Sequence, residues 1–126
     1  MPAQYVIDTD NHIVRLTFSG ALTYGEIAMH WKRLRADRAF DRGFSELITF
    51  AEDIDIQLHF LDLLELLPLD PFSSSSKRAF VVSAQSAAYG IARIYQTIKG
   101  DSPYIRTFET TDAALSWLTA RAYYAG

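Results

Sequence analysis

Three polar side chains on one predicted helix form the best candidate binding surface in this sequence. Tyr89, Arg93 and Gln96 are spaced i, i+4 and i+7 within a helix predicted over residues 86–99. That spacing places them on one helix face, opposite an apolar face that we expect to lie on a sheet, formed by Ala87, Ile91, Ile94, Tyr95 and Ile98. A tyrosine ring and a guanidinium side by side suit recognition of a protein partner or an anion. The alternative is an ordinary solvated face.

Catalytic and metal-binding patterns are weak by comparison. Asp53 and Asp55 follow a predicted strand, where open α/β sheets usually bind ligands, but capping of the next helix by Asp55 explains them more simply. His59 and Asp62 lie one helical turn apart with no third metal ligand nearby. The chain has no cysteine, no glycine-rich phosphate loop and no Gly-x-Ser-x-Gly nucleophile motif. We therefore expect no enzymatic activity, no metal and no cofactor.

A leucine-rich segment, predicted as a helix over about residues 56–67, is the second candidate surface. On a helical wheel one broad arc is apolar and is expected to face the core: Phe60, Leu61, Leu63, Leu64 and Leu67. Leu58 and Leu66 fall instead among charged residues, on the side expected to face outward. Two outward leucines predict a contact beyond the monomer, such as a homodimer interface. The alternatives are a segment that is not one straight helix, or a serine loop that folds over it.

The elements that position these residues follow from hydrophobic periodicity. Two strands at 4–8 and 13–19 are joined by a turn at 9–12, and Thr23 with Glu26 forms a capping box for the first helix. Short apolar runs at 47–51 and 79–83 predict buried strands. A last strand is predicted at 104–108, and a last helix is capped at 110–112. The order β-β-α-β-α-β-α-β-α predicts an α/β fold with a mixed, mostly parallel sheet and flanking helices, in one domain spanning residues 1–126.

Composition excludes several classes of protein. The 126 residues are 49% hydrophobic and 21% charged, which is typical of a globular domain. The net charge of −3 disfavours nucleic-acid binding, and the basic residues at 32–42 are interleaved with Asp37 and Asp41, as on a solvated surface. No apolar run is long enough for a membrane span, and the first residues do not resemble a signal peptide. We therefore predict a cytoplasmic protein that binds neither nucleic acid nor membrane.

Several stretches, taken with the element order, resemble small bacterial proteins of the STAS family, which is named for sulfate transporters and anti-sigma factor antagonists. These stretches are FSGALT at 18–23, AFDRGF at 39–44, DPF at 70–72, AYGIARIYQ at 88–96 and AALSWL at 113–118. The resemblance implies a fold that is also shared with CRAL-TRIO lipid-binding domains. In anti-sigma antagonists a phosphorylatable Ser or Thr follows the third strand, but here no Ser or Thr occurs between Thr49 and Ser73. The phosphorylation switch of that family is therefore not expected.

Two functions lead from the sequence, and an acid–base enzyme that uses Asp53 ranks third. The first is a non-enzymatic, STAS-like regulatory or interaction module that acts as a homodimer or binds a protein partner. Its surfaces would be Leu58 and Leu66 on one side, and Tyr89, Arg93 and Gln96 on the other. The alternative is a carrier of a small apolar ligand, which the resemblance to CRAL-TRIO domains implies, with the leucine-rich helix as its lid.

Overall fold

The computed structural model describes residues 3–120, which form a five-stranded mixed sheet with helices on both faces. The main sheet has the strand order β1-β2-β4-β6-β7, in which β1 and β2 are antiparallel and the other neighbours are parallel. Its strands are β1 (Ala3–Asp8), β2 (Ile13–Phe18), β4 (Ser45–Phe50), β6 (Arg78–Val81) and β7 (Ile105–Phe108). Two short strands, β3 (Ala21–Leu22) and β5 (Asp55–Ile56), pair with each other beside it.

Four α-helices connect these strands: α1 (Tyr24–Ala36), α2 (Phe60–Leu66), α3 (Ala87–Ile98) and α4 (Thr111–Thr119). A 3₁₀ turn at Leu67–Leu69 follows α2. The α/β class and the mixed, mostly parallel sheet are confirmed, and the short pair β3–β5 is an addition to the predicted order. None of the helices within residues 3–120 is long and apolar enough to cross a membrane.

Local sequence explains where the helices begin. The Thr23, Ser86 and Thr110 side chains accept hydrogen bonds from backbone N–H groups in the first turns of α1, α3 and α4. Each bond satisfies a donor that has no partner within its own helix. At the other end of α3, Gly100 has a φ of 76°, the left-handed geometry expected of a residue that stops a helix. The predicted ends of these elements are therefore correct to within a few residues.

Two apolar layers hold the helices to the sheet. On one face, α1, α2 and α3 cover a layer that includes Leu16, Ile48 and Phe80 from three adjacent strands. On the opposite face, α4 contributes Ala114 and Leu118 to a smaller layer. The alternation of side chains along β2 produces this division, because Leu16 and Phe18 lie in the first layer while Ile13 lies in the second.

The predicted orientation of the leucine-rich segment is wrong in part: Leu63 is buried as predicted, and the alternative that the segment is not one straight helix is confirmed. Leu66, expected to face outward, is 0% exposed, and Leu58 is half-buried against the core. The exposed residues are Phe60 at 53%, Leu61 at 68% and Leu64 at 38%, all of which were expected in the core. The physical reason is length: the helix has only seven residues, and Leu58 precedes it in extended chain after β5, so one wheel over 56–67 does not describe the segment. Leu63 and Leu66, three residues apart, form its buried face.

We predict that Leu66→Ala lowers the free energy of unfolding by about 2–5 kcal/mol, because it removes a fully buried side chain and leaves a cavity. Leu61→Ala, a substitution of the same type on the exposed face of α2, should change it by no more than about 0.5 kcal/mol. Urea denaturation of both variants measures the difference. Equal losses would show that α2 is oriented differently from the description above.

Candidate functional site

Two oppositely charged residues, Glu46 on β4 and Arg78 on β6, lie side by side in the centre of the sheet. The parallel register pairs Val14 with Glu46, Glu46 with Arg78, and Arg78 with Ile105, so these four side chains form one row across β2, β4, β6 and β7. Glu46 is 1% exposed and Arg78 is 3% exposed. Charged side chains are rarely buried to this extent unless they are paired, so their partners define the chemistry of the site.

Arg78 joins two carboxylates from different parts of the chain. Its Nε donates to Glu46 Oε1 at 3.0 Å, and its Nη1 donates to Asp70 Oδ2 at 2.7 Å. The Tyr95 hydroxyl also donates to Asp70 Oδ2, and Lys99 Nζ lies 3.2 Å from the same oxygen. We call these residues, Glu46, Asp70, Arg78, Tyr95 and Lys99, the ion cluster. With both carboxylates ionised, its two cations and two anions sum to zero.

The two carboxylates of the ion cluster have opposite pKa shifts. Burial alone would raise the pKa of Asp70, but the charge of Arg78 and the hydrogen bonds from Tyr95 and Arg78 outweigh it and lower that pKa. Burial raises the pKa of Glu46, and Arg78 offsets this only in part while the charge of Asp70 adds to it. The surroundings of Asp70 therefore favour its ionised form, whereas the burial of Glu46 disfavours its ionised form.

A cavity of about 60 Å³ adjoins Glu46, between the sheet and helices α1, α2 and α3. Three members of the ion cluster, Glu46, Arg78 and Tyr95, contribute to its lining. The other lining side chains are apolar: Leu16, Phe18, Leu22, Ile27, Trp31, Ile48, Phe50, Leu58, Leu63, Leu66, Phe80 and Ile91. Among residues 3–120 the buried Glu46 Oε2 has no hydrogen-bond partner, which is unusual for a buried oxygen and singles out Glu46 and its neighbours as the candidate site.

His30, on the sheet-facing side of α1, is a second buried polar residue. It is 1% exposed, its Nε2 has no hydrogen-bond partner within the described part of the chain, and its ring packs edge-on against Tyr5 at a centroid distance of 5.3 Å. Burial lowers the pKa of His30 to about 4, and the positive charges of Arg33 and Arg78 contribute to that shift. The imidazole is therefore neutral at neutral pH.

Of the three residues predicted to form a surface on α3, only Arg93 is fully exposed. Arg93 is exposed and its Nη1 lies 3.3 Å from Gln96 Oε1, so these two side chains do meet. Gln96 Nε2, however, donates to Ile105 O at 2.7 Å and thereby ties α3 to β7, and Tyr89 packs half-buried against the core.

The expected sheet-facing side of α3 is wrong in part. Ala88 and Ala92 face the sheet together with Tyr95, while Ala87 and Ile94 are exposed. The physical reason is space: small side chains let the helix lie close to the sheet, so the helix turns by about one residue relative to its most apolar face.

The acidic and histidine candidates do not form a site. Asp53 Oδ1 lies 3.4 Å from the Gly20 N–H, and Asp55 lies in β5 rather than at a helix cap, which corrects that expectation. At the start of α2 it is Asp62 that accepts from the His59 N–H, at 2.9 Å. Across residues 3–120, no group of three or more His, Asp or Glu side chains is placed to hold a metal ion.

Sequence reasoning missed the ion cluster, although a signal was present. The predicted strands began at 47 and 79, one residue after Glu46 and Arg78, whereas β4 begins at Ser45 and β6 at Arg78. Extending both strands by one residue would have placed Glu46 on the face of Ile48, and Arg78 on the face of Phe80, by simple alternation. The role of Asp70 could not be found in this way, because it lies in a loop and only the tertiary fold brings it to Arg78.

No family model, curated protein or solved structure matches this chain. The α/β architecture rests on the structure itself, and the site rests on its geometry.

We predict that the stability of the protein falls as the pH is lowered from about 6.5 to about 4, the interval between the ordinary pKa of histidine and that of folded His30. In this interval the unfolded chain binds a proton that folded His30 does not, so the free energy of unfolding rises with pH. The contribution of His30 at pH 4.5 relative to pH 7.5 is on the order of 2–3 kcal/mol. Urea denaturation of wild type and His30→Leu at both pH values measures it.

The His30→Leu variant is the control, since it differs from wild type only at this imidazole. Other groups that titrate in acid, including Asp70, are present in both proteins and cancel in the difference between them. Parallel pH profiles for wild type and His30→Leu would contradict the prediction.

Proposed function

We propose that this protein is a non-enzymatic binding domain whose site is the cavity beneath α2, and that it takes up a small organic ligand. The observation that carries the proposal is the cavity itself, a partly open apolar space between three helices and the sheet whose lining includes three polar residues, Glu46, Arg78 and Tyr95. Small-molecule sites typically combine mostly apolar walls with a few polar groups that orient the ligand. Of the two functions that the sequence left open, this one is the carrier.

The ion cluster favours binding over catalysis. The Tyr95 hydroxyl is bound to Asp70, and the Nε and Nη1 of Arg78 are each bound to a carboxylate. The negative charge of Asp70 is held by Arg78 and Lys99. Groups engaged in this way hold the wall of the cavity rigid.

The size of the cavity limits the ligand. At about 60 Å³ it is smaller than the roughly 150 Å³ of an engineered cavity that binds benzene. A molecule of a few carbon atoms fits without rearrangement, and a larger one requires α2 to move. Since only Leu63 and Leu66 of α2 are fully buried, α2 is the wall with the fewest buried side chains to displace.

The STAS-like fold is part of the same proposal. What supports it is the order of elements in the main sheet, a hairpin followed by alternating helices and parallel strands, which is the order that the sequence shares with the STAS family. The CRAL-TRIO relatives that this resemblance implies hold apolar ligands, in agreement with a ligand-binding role. The proposed location is the cytoplasm.

We predict that at least one of three four-carbon probes, 1-butanol, 1-chlorobutane or butyrate, binds in the cavity, and that Leu63→Phe weakens this binding at least about tenfold. Leu63 is 3% exposed and lines the cavity, so a larger ring at this position occupies the space of the ligand. Titration followed by NMR, with chemical shifts of the lining methyl groups as the readout, measures both affinities.

Leu61→Phe is the matched control, since it makes the same substitution on the exposed face of α2 and should leave the affinity unchanged. If no probe shifts the lining methyl groups, or if Leu63→Phe binds as tightly as wild type, the cavity is not a binding site.

A second function, assembly into a homodimer or with a protein partner, is favoured by a different surface. We define the α2 patch as the exposed side chains of Phe60, Leu61 and Leu64 together with Ile94 of α3, which is 37% exposed. A groove lined by Phe60, Arg93, Ile94, Thr97 and Ile98 runs between the two helices at this patch. Neighbouring exposed apolar side chains are typical of contact surfaces. We infer that the interface lies here and not at Leu58 and Leu66.

We predict that the wild type forms a dimer in sedimentation velocity and that Leu61→Glu is monomeric, because a charge would be buried in an apolar interface. Val6→Glu is the matched control: Val6 on β1 is 68% exposed, as is Leu61, but lies outside the α2 patch. A monomeric wild type, or dissociation by both substitutions alike, would remove the α2 patch as the dimer interface.

A further inference from the structure

We propose that a small tetrahedral oxyanion, such as inorganic phosphate, binds in a second cavity, which we call the serine pocket. This cavity measures about 70 Å³, and its lining combines two cationic side chains with four serines: Arg78, Lys99, Ser73, Ser74, Ser76 and Ser102. The inference is independent of the proposed ligand site beneath α2, because the two cavities share only Arg78 among their lining residues.

The charge of the lining carries the inference. Within the described part of the chain, both ionised side chains that line the serine pocket are positive, and no Asp or Glu lines it. Arg78 and Lys99 contact the carboxylate of Asp70, at 2.7 Å and 3.2 Å, but Asp70 itself does not reach the pocket. An anion in the pocket therefore lies against the cations, with the carboxylate farther away.

The lining also supplies hydrogen-bond donors. The ammonium of Lys99 has three hydrogens, of which its contact with Asp70 uses one, and its side chain is 21% exposed. Ser102 Oγ accepts from the Tyr104 N–H at 3.1 Å, which leaves its own hydrogen free to donate. Ser74 is exposed. Hydrogen bonds from such groups to an ionised acceptor are stronger than bonds between neutral groups.

The end of α3 does not oppose an anion at this place. A helix C-terminus normally presents carbonyl oxygens that have no partner and carry partial negative charge. Here the last carbonyls of α3 accept hydrogen bonds from the backbone N–H groups of residues 99, 100 and 101. Lys99 is the C-cap residue, and its charge offsets the helix dipole at this end.

The ion cluster has a means of compensating the charge of a bound anion. With both of its carboxylates ionised the cluster is neutral, so an anion adds one unbalanced negative charge or more beside it. Burial raises the pKa of Glu46, so the ionised form of this residue is already disfavoured. Uptake of a proton at Glu46 therefore offsets part of the added charge at lower cost than at an exposed carboxylate.

The size and shape of the pocket define the class of anion. At about 70 Å³ it has room for about five non-hydrogen atoms, since one water needs roughly 10–15 Å³. Its polar groups come from three directions: the loop at residues 73–76, the end of α3 at Lys99, and Ser102 before β7. A tetrahedral oxyanion has five such atoms and presents oxygens in all of these directions, whereas a planar carboxylate presents only two oxygens.

The experiment is an NMR titration of the wild-type protein with sodium phosphate at pH 7, with sodium chloride holding the ionic strength constant. We expect saturable shifts of the backbone amide signals of Ser73, Ser74, Ser76 and Ser102, with a Kd of about 1 mM or tighter. Shifts that do not saturate, or that are spread evenly over the surface, would overturn the proposal. Either result leaves the cavity beneath α2 to its own test.

Lys99→Gln removes the cation at the end of α3. We expect it to weaken phosphate binding at least about tenfold, the effect of one charge-assisted hydrogen bond. Lys32→Gln is the matched control, because it removes the same charge from an exposed position on α1 that does not line the pocket, and it should leave the affinity unchanged. Equal weakening by both substitutions would mean that the anion responds only to net charge, which would overturn the site.

Two further anions on the wild-type protein define the ligand and decide the proposal even if Lys99→Gln does not fold. Acetate, which is planar, should bind at least about fivefold more weakly than phosphate, and equal or tighter binding would overturn the assignment to a tetrahedral oxyanion. Phenyl phosphate tests the source of the phosphate group. Weaker binding than inorganic phosphate supports the free ion, and tighter binding supports the same site with the phosphate carried by an organic molecule.

Discussion

The positive charge of Arg78 sits in the middle of a sheet, and the surrounding structure has to balance it. Removing a guanidinium from water is costly, and the cost is met only if carboxylates approach it with good geometry. Glu46 reaches it from the adjacent strand and Asp70 from the loop after the 3₁₀ turn. Tyr95 and Lys99 then fix Asp70 from α3. One buried charge thereby sets the positions of two strands, a loop and a helix relative to one another.

This constraint also shapes the cavity. The ion cluster occupies one wall at the row of Glu46 and Arg78, and the apolar side chains of the next rows, such as Ile48 and Phe80, continue the same face of the sheet. Aromatic rings surround the guanidinium too: the Phe72 ring centroid lies 4.4 Å from Arg78 Cζ. A rigid polar wall in an apolar space is a preorganised arrangement, because its groups are already oriented before a ligand arrives.

Much of the fold could be predicted from the sequence, since it depends on local patterns. Alternation defined β2, and side-chain caps at Thr23, Ser86 and Thr110 defined the starts of three helices. The orientation of α2 could not be predicted, because nearly every position in the segment is apolar and a wheel of leucines has no unique buried face. Tertiary packing determines the orientation of α2, and it buries Leu63 and Leu66 and exposes Leu61.

The site was harder to predict than the fold for a related reason. Glu46 and Arg78 are 32 residues apart in sequence, and Asp70 reaches them from a loop, so no short motif contains the cluster. Periodicity indicates which face of a strand a charged residue occupies, but not whether an opposite charge lies across from it. Only the parallel register of β4 and β6 supplies that pairing.

The two faces of α2 connect the two proposed functions. Its buried face, with Leu63 and Leu66, lines the cavity, and its exposed face carries Phe60, Leu61 and Leu64 of the α2 patch. A seven-residue helix has only about two turns and moves as one unit. A ligand that displaces its buried face therefore also displaces its exposed face. A ligand that moves α2 therefore binds one position of the helix, and with it one arrangement of the α2 patch, more tightly than the other. A difference in affinity of this kind is what a ligand needs in order to change assembly.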